Sequence, residues 1–366
     1  MDKKILFIRY KKPFGIKEGG EQATHKNHSI LCELFGAKNV EEYYVHPDLE
    51  SETLWDKIKS VPYIFLNYYF GLTPQKVRKI CEIAKQKDIV FIDRSVFGII
   101  AKHLKKQSFE GKTVTFFHNV ETIYFQTKIP KHAPYRPFLL HCIDRNDAYS
   151  MQYSDVTVCL NSRDDDELLK RYGKRANAVI PITFEDKLCN GRDVACNVST
   201  ENPPTALFFG SYMPANADGV LWFIENVLPH VDIRLQIVGK GMHQVESKIK
   251  NQKSKIKIFS DVADVSPFFE NADFVVSPIF KGSGMKVKTC ETLMYGKTII
   301  GTTESFEGYN VDFEKVGALA NTKEEFIAAI QEFPQKFNSK FNTYSRNYFL
   351  QNHSNEIATK VFQELF

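Results

Sequence analysis

The stretch SPIFKGSGMKVKTCETLMYGKTIIG, Ser277–Gly301, decides how this 366-residue chain is read. An apolar run ends near Ser277, and a Gly-Ser-Gly loop follows at Gly282, Ser283 and Gly284. An amphipathic helical stretch comes next, with Gly296 as its expected stop, and then another apolar run, Thr298–Gly301. Glycines ahead of a helix let backbone N–H groups approach an anion closely, and the helix start adds a positive end. Lys286 or Lys288 would bring a full charge to a diphosphate. Glu291, further along the helix, is placed to accept hydrogen bonds from two adjacent ribose hydroxyls. The plain alternative is a strand, loop and helix with solvated lysines.

Outward from this stretch the same scheme repeats. Strand-like runs stand at Ala206–Phe209, Leu235–Val238, Ile256–Phe259 and Phe274–Ser277. Asp218–Leu228 carries an apolar stripe at helical spacing, with Asn216 as the expected cap and Pro229 as the stop. In the first half the runs are Lys4–Ile8, Tyr63–Leu66, Ile89–Ile92, Val114–Phe117 and Val156–Leu160. Helical patterns lie between them, such as Gln75–Lys85 with Val77, Ile80, Cys81 and Ala84 on one face. Runs of this kind build parallel sheets covered by helices on both sides. The pattern breaks over 186–204, where polar residues, Gly191 and the Pro203-Pro204 pair mark a linker. The expected division is an N-terminal domain at 1–187, a linker at 188–204, a C-terminal domain at 205–340, and a last helix at 341–366 returning to the N-terminal domain. Two doubly wound domains leave a cleft, and their ligands belong just beyond the carboxyl ends of the strands.

Composition excludes more than it identifies. Hydrophobic residues make up 43% and charged residues 25%, which rules out a disordered, fibrous or disulfide-scaffold chain. Seven cysteines, an odd number with no CxxC pair, argue against a stapled secreted fold or a zinc site and fit a reducing cytoplasm. Ile5–Ile8 is too short for a signal-peptide core and is followed at once by Arg9, Lys11 and Lys12. The net charge is 48 − 44 = +4, too small to imply nucleic acid. It is unevenly spread: residues 1–185 hold 29 Lys/Arg against 23 Asp/Glu (+6), and the rest 19 against 21 (−2). A basic half suits an anionic surface or substrate.

The stretch Gly282–Ile300 resembles the sugar-nucleotide signature of GT-B glycosyltransferases of the family-4-like group, with Gly282, Gly284, Lys286 and Glu291 in its places. The likeness extends to the opening loop of the C-terminal domain, Phe208–Gly219, to Leu235–Gly241, and to Phe259–Val262. The resemblance implies an α/β GT-B fold, two doubly wound Rossmann-like domains facing a cleft. It implies transfer of a sugar from a nucleotide diphosphate, with a UDP-sugar favoured as donor, to a hydroxyl of a glycan or lipid-linked acceptor in bacterial capsule or lipopolysaccharide synthesis. Gly210, Ser211, Val262, Gly282, Ser283, Gly284, Met285, Lys286, Val287 and Glu291 would hold the donor. His118 and Glu291 would be catalytic, and retention of configuration is the favoured outcome. No cofactor or metal is expected. The chain departs from the pattern in two ways. Lys281 stands where a first glutamate precedes the glycines in many members, and Ser211–Asp218 lacks their diphosphate-binding Arg and Lys. That throws the work onto Lys286, with Lys240 or Lys288 assisting.

In the first half, Thr113–Glu121 resembles the family's Thr-x-x-His-Asn segment, which implies that His118 lies near the donor sugar; a packed histidine is the alternative. Glu121 belongs to the acceptor side or else to solvent. Gly19-Gly20, after the first strand, would be a loop lining the cleft. His25 and His28 read as helix-surface residues. Asp164-Asp165-Asp166-Glu167 invites a metal-binding reading, but acids after Ser162 suit the first turn of a helix that Ser162 caps. The basic cluster Lys102, His103, Lys105 and Lys106, with Lys11, Lys12 and Lys17, suits peripheral contact with the inner membrane face or a plain solvated surface. Alternatives to transfer are a sugar-nucleotide 2-epimerase of the same fold and a non-catalytic partner subunit; an exported two-domain sugar-binding protein fits poorly. The oligomeric state is not readable from the residues.

Overall fold

The computed structural model describes residues 3–12, 19–46, 61–188, 203–249, 253–282, 285–337 and 339–366. Ser283, Gly284 and nearly all of the expected linker lie outside them. The chain divides into two units, Met1–Pro181 with Ala358–Phe366, and Ile182–Ile357. Residues 182–188 therefore go with the second unit. The final stretch is also divided: the helix Thr343–Asn352 lies in the second unit and packs there on the helix Val287–Met294, and only Ala358–Phe366 returns to the first.

The first unit holds a parallel sheet in the order β2-β1-β3-β4-β5-β6, with β1 at Ile5–Lys11, β2 at Val40–His46, β3 at Ile89–Ile92, β4 at Lys112–Phe117, β5 at Val156–Cys159 and β6 at Ala178–Val179. Ile5 stands in register with Val40 on one side and Ile89 on the other. The central strands are buried on both faces, which is why they read as unbroken apolar runs. Phe7, Phe91 and Phe116 are fully buried and stack through the sheet; each such side chain contributes about 2–3 kcal/mol of burial. The helix Pro74–Ala84 buries Val77, Ile80, Cys81 and Ala84, and Thr73 caps it by accepting from Lys76 N.

The run Tyr63–Leu66 is not a strand. Residues 61–65 are helical, and Phe65 and Leu66 are both 59% exposed. The edge strand beside β1 is Val40–His46, whose paired Glu41 and Glu42 break the apolar pattern although Val40 and Val45 are buried.

The second unit holds a parallel sheet in the order β12-β11-β10-β7-β8-β9, with β7 at Thr205–Phe209, β8 at Arg234–Gly239, β9 at Ile256–Ser260, β10 at Phe274–Ser277, β11 at Thr298–Gly301 and β12 at Gly317–Leu319. Its helix after β7 begins earlier than the apolar stripe suggests, at Pro214, and runs to Asn226. Proline, with no N–H to leave unpaired, suits a first turn. Asn216 is thus inside the helix rather than its cap.

Candidate functional site

Both sheets place polar side chains just beyond the carboxyl ends of their strands. In the second unit the helix Val287–Met294 starts after β10, and Gly296, at φ 59°, follows its end. Gly210 is buried and Ser211 exposed at the end of β7. Asn216 bridges this loop to the helix: its Nδ2 donates to Ser211 O at 2.7 Å, and its Oδ1 accepts from Lys288 Nζ at 2.5 Å. The Lys288 ammonium also lies 5.2 Å from the centre of the Phe208 ring. Burial, with Lys286 nearby, brings the Lys288 amine down to about 7. Among the described residues it has no carboxylate partner.

Lys286, the residue capping this helix, is differently arranged. Its Nζ pairs with Glu304 Oε1 at 2.5 Å, and its carbonyl accepts from Tyr309 OH at 2.7 Å. Met285 is buried, and Val287, the first helical residue, is half-buried. Glu291 is 6% exposed; burial raises its carboxyl, partly countered by Lys187, whose Nζ is 3.8 Å from Oε1. At the end of β9, Asp261 adopts φ 57° and its Oδ1 accepts from Gly241 N at 3.1 Å, with the half-buried Val262 next to it. Lys240 is exposed.

In the first unit, Gly19-Gly20 is not a loop but the opening of the helix Gly19–Phe35. A Cβ on Gly20 would stand 3.0 Å from Arg94 Nη2, so the glycine leaves room for that guanidinium. His118, directly after β4, is 4% exposed, and its Nε2 lies 3.2 Å from Asp93 Oδ2, directly after β3. Thr24 Oγ1 donates to Asp93 at 2.5 Å and Asn27 Nδ2 at 3.0 Å. Burial alone would raise the Asp93 carboxyl; His118 and these two donors outweigh it and hold it low. An ionised Asp93 thus places a negative charge beside the imidazole, an environment suited to a histidine that exchanges a proton or hydrogen bond with a substrate.

Glu121 is fully buried, which removes the solvent alternative. Arg94 Nη1 is 3.5 Å from its Oε1, and neither carboxylate oxygen has a hydrogen-bond partner among the described residues. Burial pushes its carboxyl up, against the pull of Arg94 and His118. Behind it, Asp147 accepts from Ser95 Oγ at 2.6 Å and from Thr122 N and Oγ1 at 2.9 and 2.8 Å. Burial takes the Asp147 carboxyl to about 7.

The acidic run 164–167 does open a helix, Ser162–Tyr172, but Asn161 caps it, accepting from Asp164 N at 2.8 Å. Asp165 pairs with Arg175 at 2.5 Å. Among the described residues no group of three or more His, Cys, Asp or Glu is placed to hold a metal ion. His25 is exposed, whereas His28 is half-buried and pairs with Glu42 at 2.9 Å.

Sequence reasoning missed Asp93, Arg94, Asp147 and Glu304. Asp93 and Arg94 immediately follow the run Ile89–Ile92, and Glu304 stands three residues beyond Gly301. Position after a strand was therefore the available signal.

The family model described as "Glycosyl transferases group 1" matches residues 203–335. A 177-residue stretch is 24% identical to an uncharacterized 44.6 kDa protein in the cps region of Klebsiella pneumoniae, covering 44% of this chain and 44% of that protein. The match thus spans less than half the length of that relative. Among solved structures, Anabaena HepE in complex with UDP aligns over 99% of both chains, with TM-score 0.66 and 15% identity. Sucrose-phosphate synthase from Thermosynechococcus elongatus aligns over 99% of this chain and 98% of its own, at 0.69 and 13%. A glycosyltransferase from Rickettsia africae aligns over 100% and 98%, at 0.63 and 15%. The fold is that of GT-B glycosyltransferases, two doubly wound Rossmann-like units, and residues 203–335 are similar to the group 1 family.

Proposed function

We propose that this protein transfers a sugar from a UDP-sugar to a hydroxyl of a glycan or lipid-linked acceptor in the synthesis of a bacterial surface polysaccharide. The observation carrying the reading is the uncompensated Lys288 ammonium held by Asn216 at the Gly210–Ser211 loop, one helical turn from the buried Glu291. Lys288 and the start of the helix Val287–Met294 neutralise the leaving diphosphate without a metal. Glu291 takes the ribose hydroxyls, and backbone groups near Val262 meet the base. Structures of the HepE fold with UDP and with UDP-glucose support the donor class, and the cps-region relative supports the biological setting.

The acceptor side belongs to the first unit. There Asp93 orients His118, which hydrogen-bonds or relays a proton at a reacting sugar, and Arg94 and Glu121 lie beside it. Retention of configuration, a cytoplasmic location and peripheral contact of the basic N-terminal half with the inner membrane face complete the reading. No helix among the described residues is long and apolar enough to cross a membrane.

The test is a thermal-shift series with UDP, UDP-sugars and other nucleotides. A specific donor raises the melting temperature by mass action. The Glu291→Ala variant is expected to lose that shift, while His118→Ala keeps it and loses transfer. A melt that no nucleotide sugar moves refutes the donor site.

A further inference from the structure

The two lysines at the start of the helix Val287–Met294 differ in one respect that bears on what each holds. Lys288 has no negative partner among the described residues, so a doubly charged diphosphate suits it. Lys286 is already balanced. Its Nζ lies 2.5 Å from Glu304 Oε1, with Lys286 12% and Glu304 22% exposed. The pair rests on the backbone of Gly282: a Cβ there would stand 2.8 Å from Glu304 Oε1 and 3.0 Å from Lys286 Cε. A neutral pair of this kind attracts a diphosphate weakly, because the carboxylate repels what the ammonium attracts. It suits a neutral polyol well. A carboxylate accepts from two O–H groups, an ammonium donates to a third oxygen, and neither needs a change of net charge.

Glu304 is also held too firmly to be a swinging counter-ion. Its loop after β11 is pinned to the end of β10: Ser305 Oγ donates to Ser277 O at 2.5 Å, and Thr302 Oγ1 donates to Ile279 O. Thr289 Oγ1, from the helix, donates to Ser305 O at 2.6 Å, and Thr303 N donates to Asn321 Oδ1 at 2.9 Å. The Glu304 side chain makes no further hydrogen bond among the described residues, so Oε2 keeps its full accepting capacity. Along the helix start the order is Glu291, then Lys288, then Lys286. Five residues of helix rise about 7.5 Å, a span that suits the distance from ribose to transferred sugar across a diphosphate.

Resting on the donor-site reading above, we infer that the Lys286–Glu304 pair recognises the hydroxyls of the transferred sugar, and that Glu304 is a specificity-determining residue for the donor. The diphosphate is left to Lys288.

The experiment compares UDP with the sugar nucleotide that native protein binds most tightly among UDP-glucose, UDP-galactose and UDP-N-acetylglucosamine, by calorimetric titration. In Glu304→Gln, the affinity for UDP stays within about twofold, while the sugar nucleotide weakens roughly tenfold or more, the loss expected for hydrogen bonds to a charged group. The double variant Lys286→Gln with Glu304→Gln, which keeps the pair neutral, gives the same split and serves if the first variant does not fold. Equal losses for both ligands, or no loss for either, overturn the inference. So does a tightening of UDP in Glu304→Gln with the sugar nucleotide moving in step, which would make Glu304 a mere competitor for Lys286. Native protein that binds neither UDP nor any of the three refutes the donor site itself, and the inference falls with it.

Discussion

Raising the pH through neutrality should weaken donor binding, and Lys288 is the reason. Burial holds its amine at about 7 in the free protein. Among the described residues the groups facing it include the Lys286 ammonium, the amide of Asn216, the ring of Phe208 and the backbone of Gly210, and none of these supplies a negative charge. A bound diphosphate does supply one and carries the amine back toward its ordinary range. Binding therefore takes up a proton at any pH above the free value. With a free value near 7 and a bound value several units higher, the apparent Kd scales as the reciprocal of the protonated fraction. It rises about tenfold between roughly pH 6 and pH 8, or about 1.4 kcal/mol. UDP-glucose is the suitable probe, because both its phosphates are diesters and do not titrate in this range. Calorimetry in two buffers of different ionisation enthalpy should show close to one proton taken up at about pH 8. Lys288→Arg, charged throughout, should bind with no such slope. Lys288→Met should lose binding yet melt a few degrees higher, because it removes a charge that folding strips of water. A native affinity that is flat from about pH 6 to pH 8 would refute the argument that Lys288 is the diphosphate cation.

Two stability measurements probe the framework that holds the sites. Asp147 is raised to about 7 by burial, above its unfolded value, so its contribution to stability is complete below the unfolded value and is lost as pH rises through about 7. Asp147→Asn should accordingly gain on native protein in urea denaturation between about pH 5 and pH 8, and an unchanged difference would show that Asp147 stays ionised. Gly219 packs so closely on the end of β10 that a Cβ would stand 2.0 Å from Pro278 O. Gly219→Ala should therefore cost roughly 1–3 kcal/mol in the same assay, and a variant as stable as native protein would mean that the helix shifts freely.

The sites were legible to different degrees in the residues. Lys286, Lys288 and Glu291 could be picked out as a candidate set because the segment around them is contiguous, but the residues put the diphosphate on Lys286 with Lys288 only assisting. His118 could be named, but not its partner, since Asp93 is 25 residues away and joins it only because β3 and β4 are neighbours in the sheet. The capping errors, Asn216 and Ser162, have a common cause. A polar residue near a helix start has several backbone and side-chain groups within reach, and sequence does not say which it takes.

By itself the sequence determined the alternation of buried strands and amphipathic helices, and with it two parallel sheets. That follows because burial on both faces forces continuous apolar runs, a signal carried by neighbours along the chain. Only the tertiary structure decided the charge state of the site. Lys286 and Lys288 are two residues apart and look interchangeable in the sequence. Glu304, delivered by the loop after β11, neutralises the first, while Asn216 and Phe208 receive the second without a counter-charge among the described residues. The balance of an ion depends on what stands within a few ångströms of it in space, and those partners come from strands and loops distant in the chain.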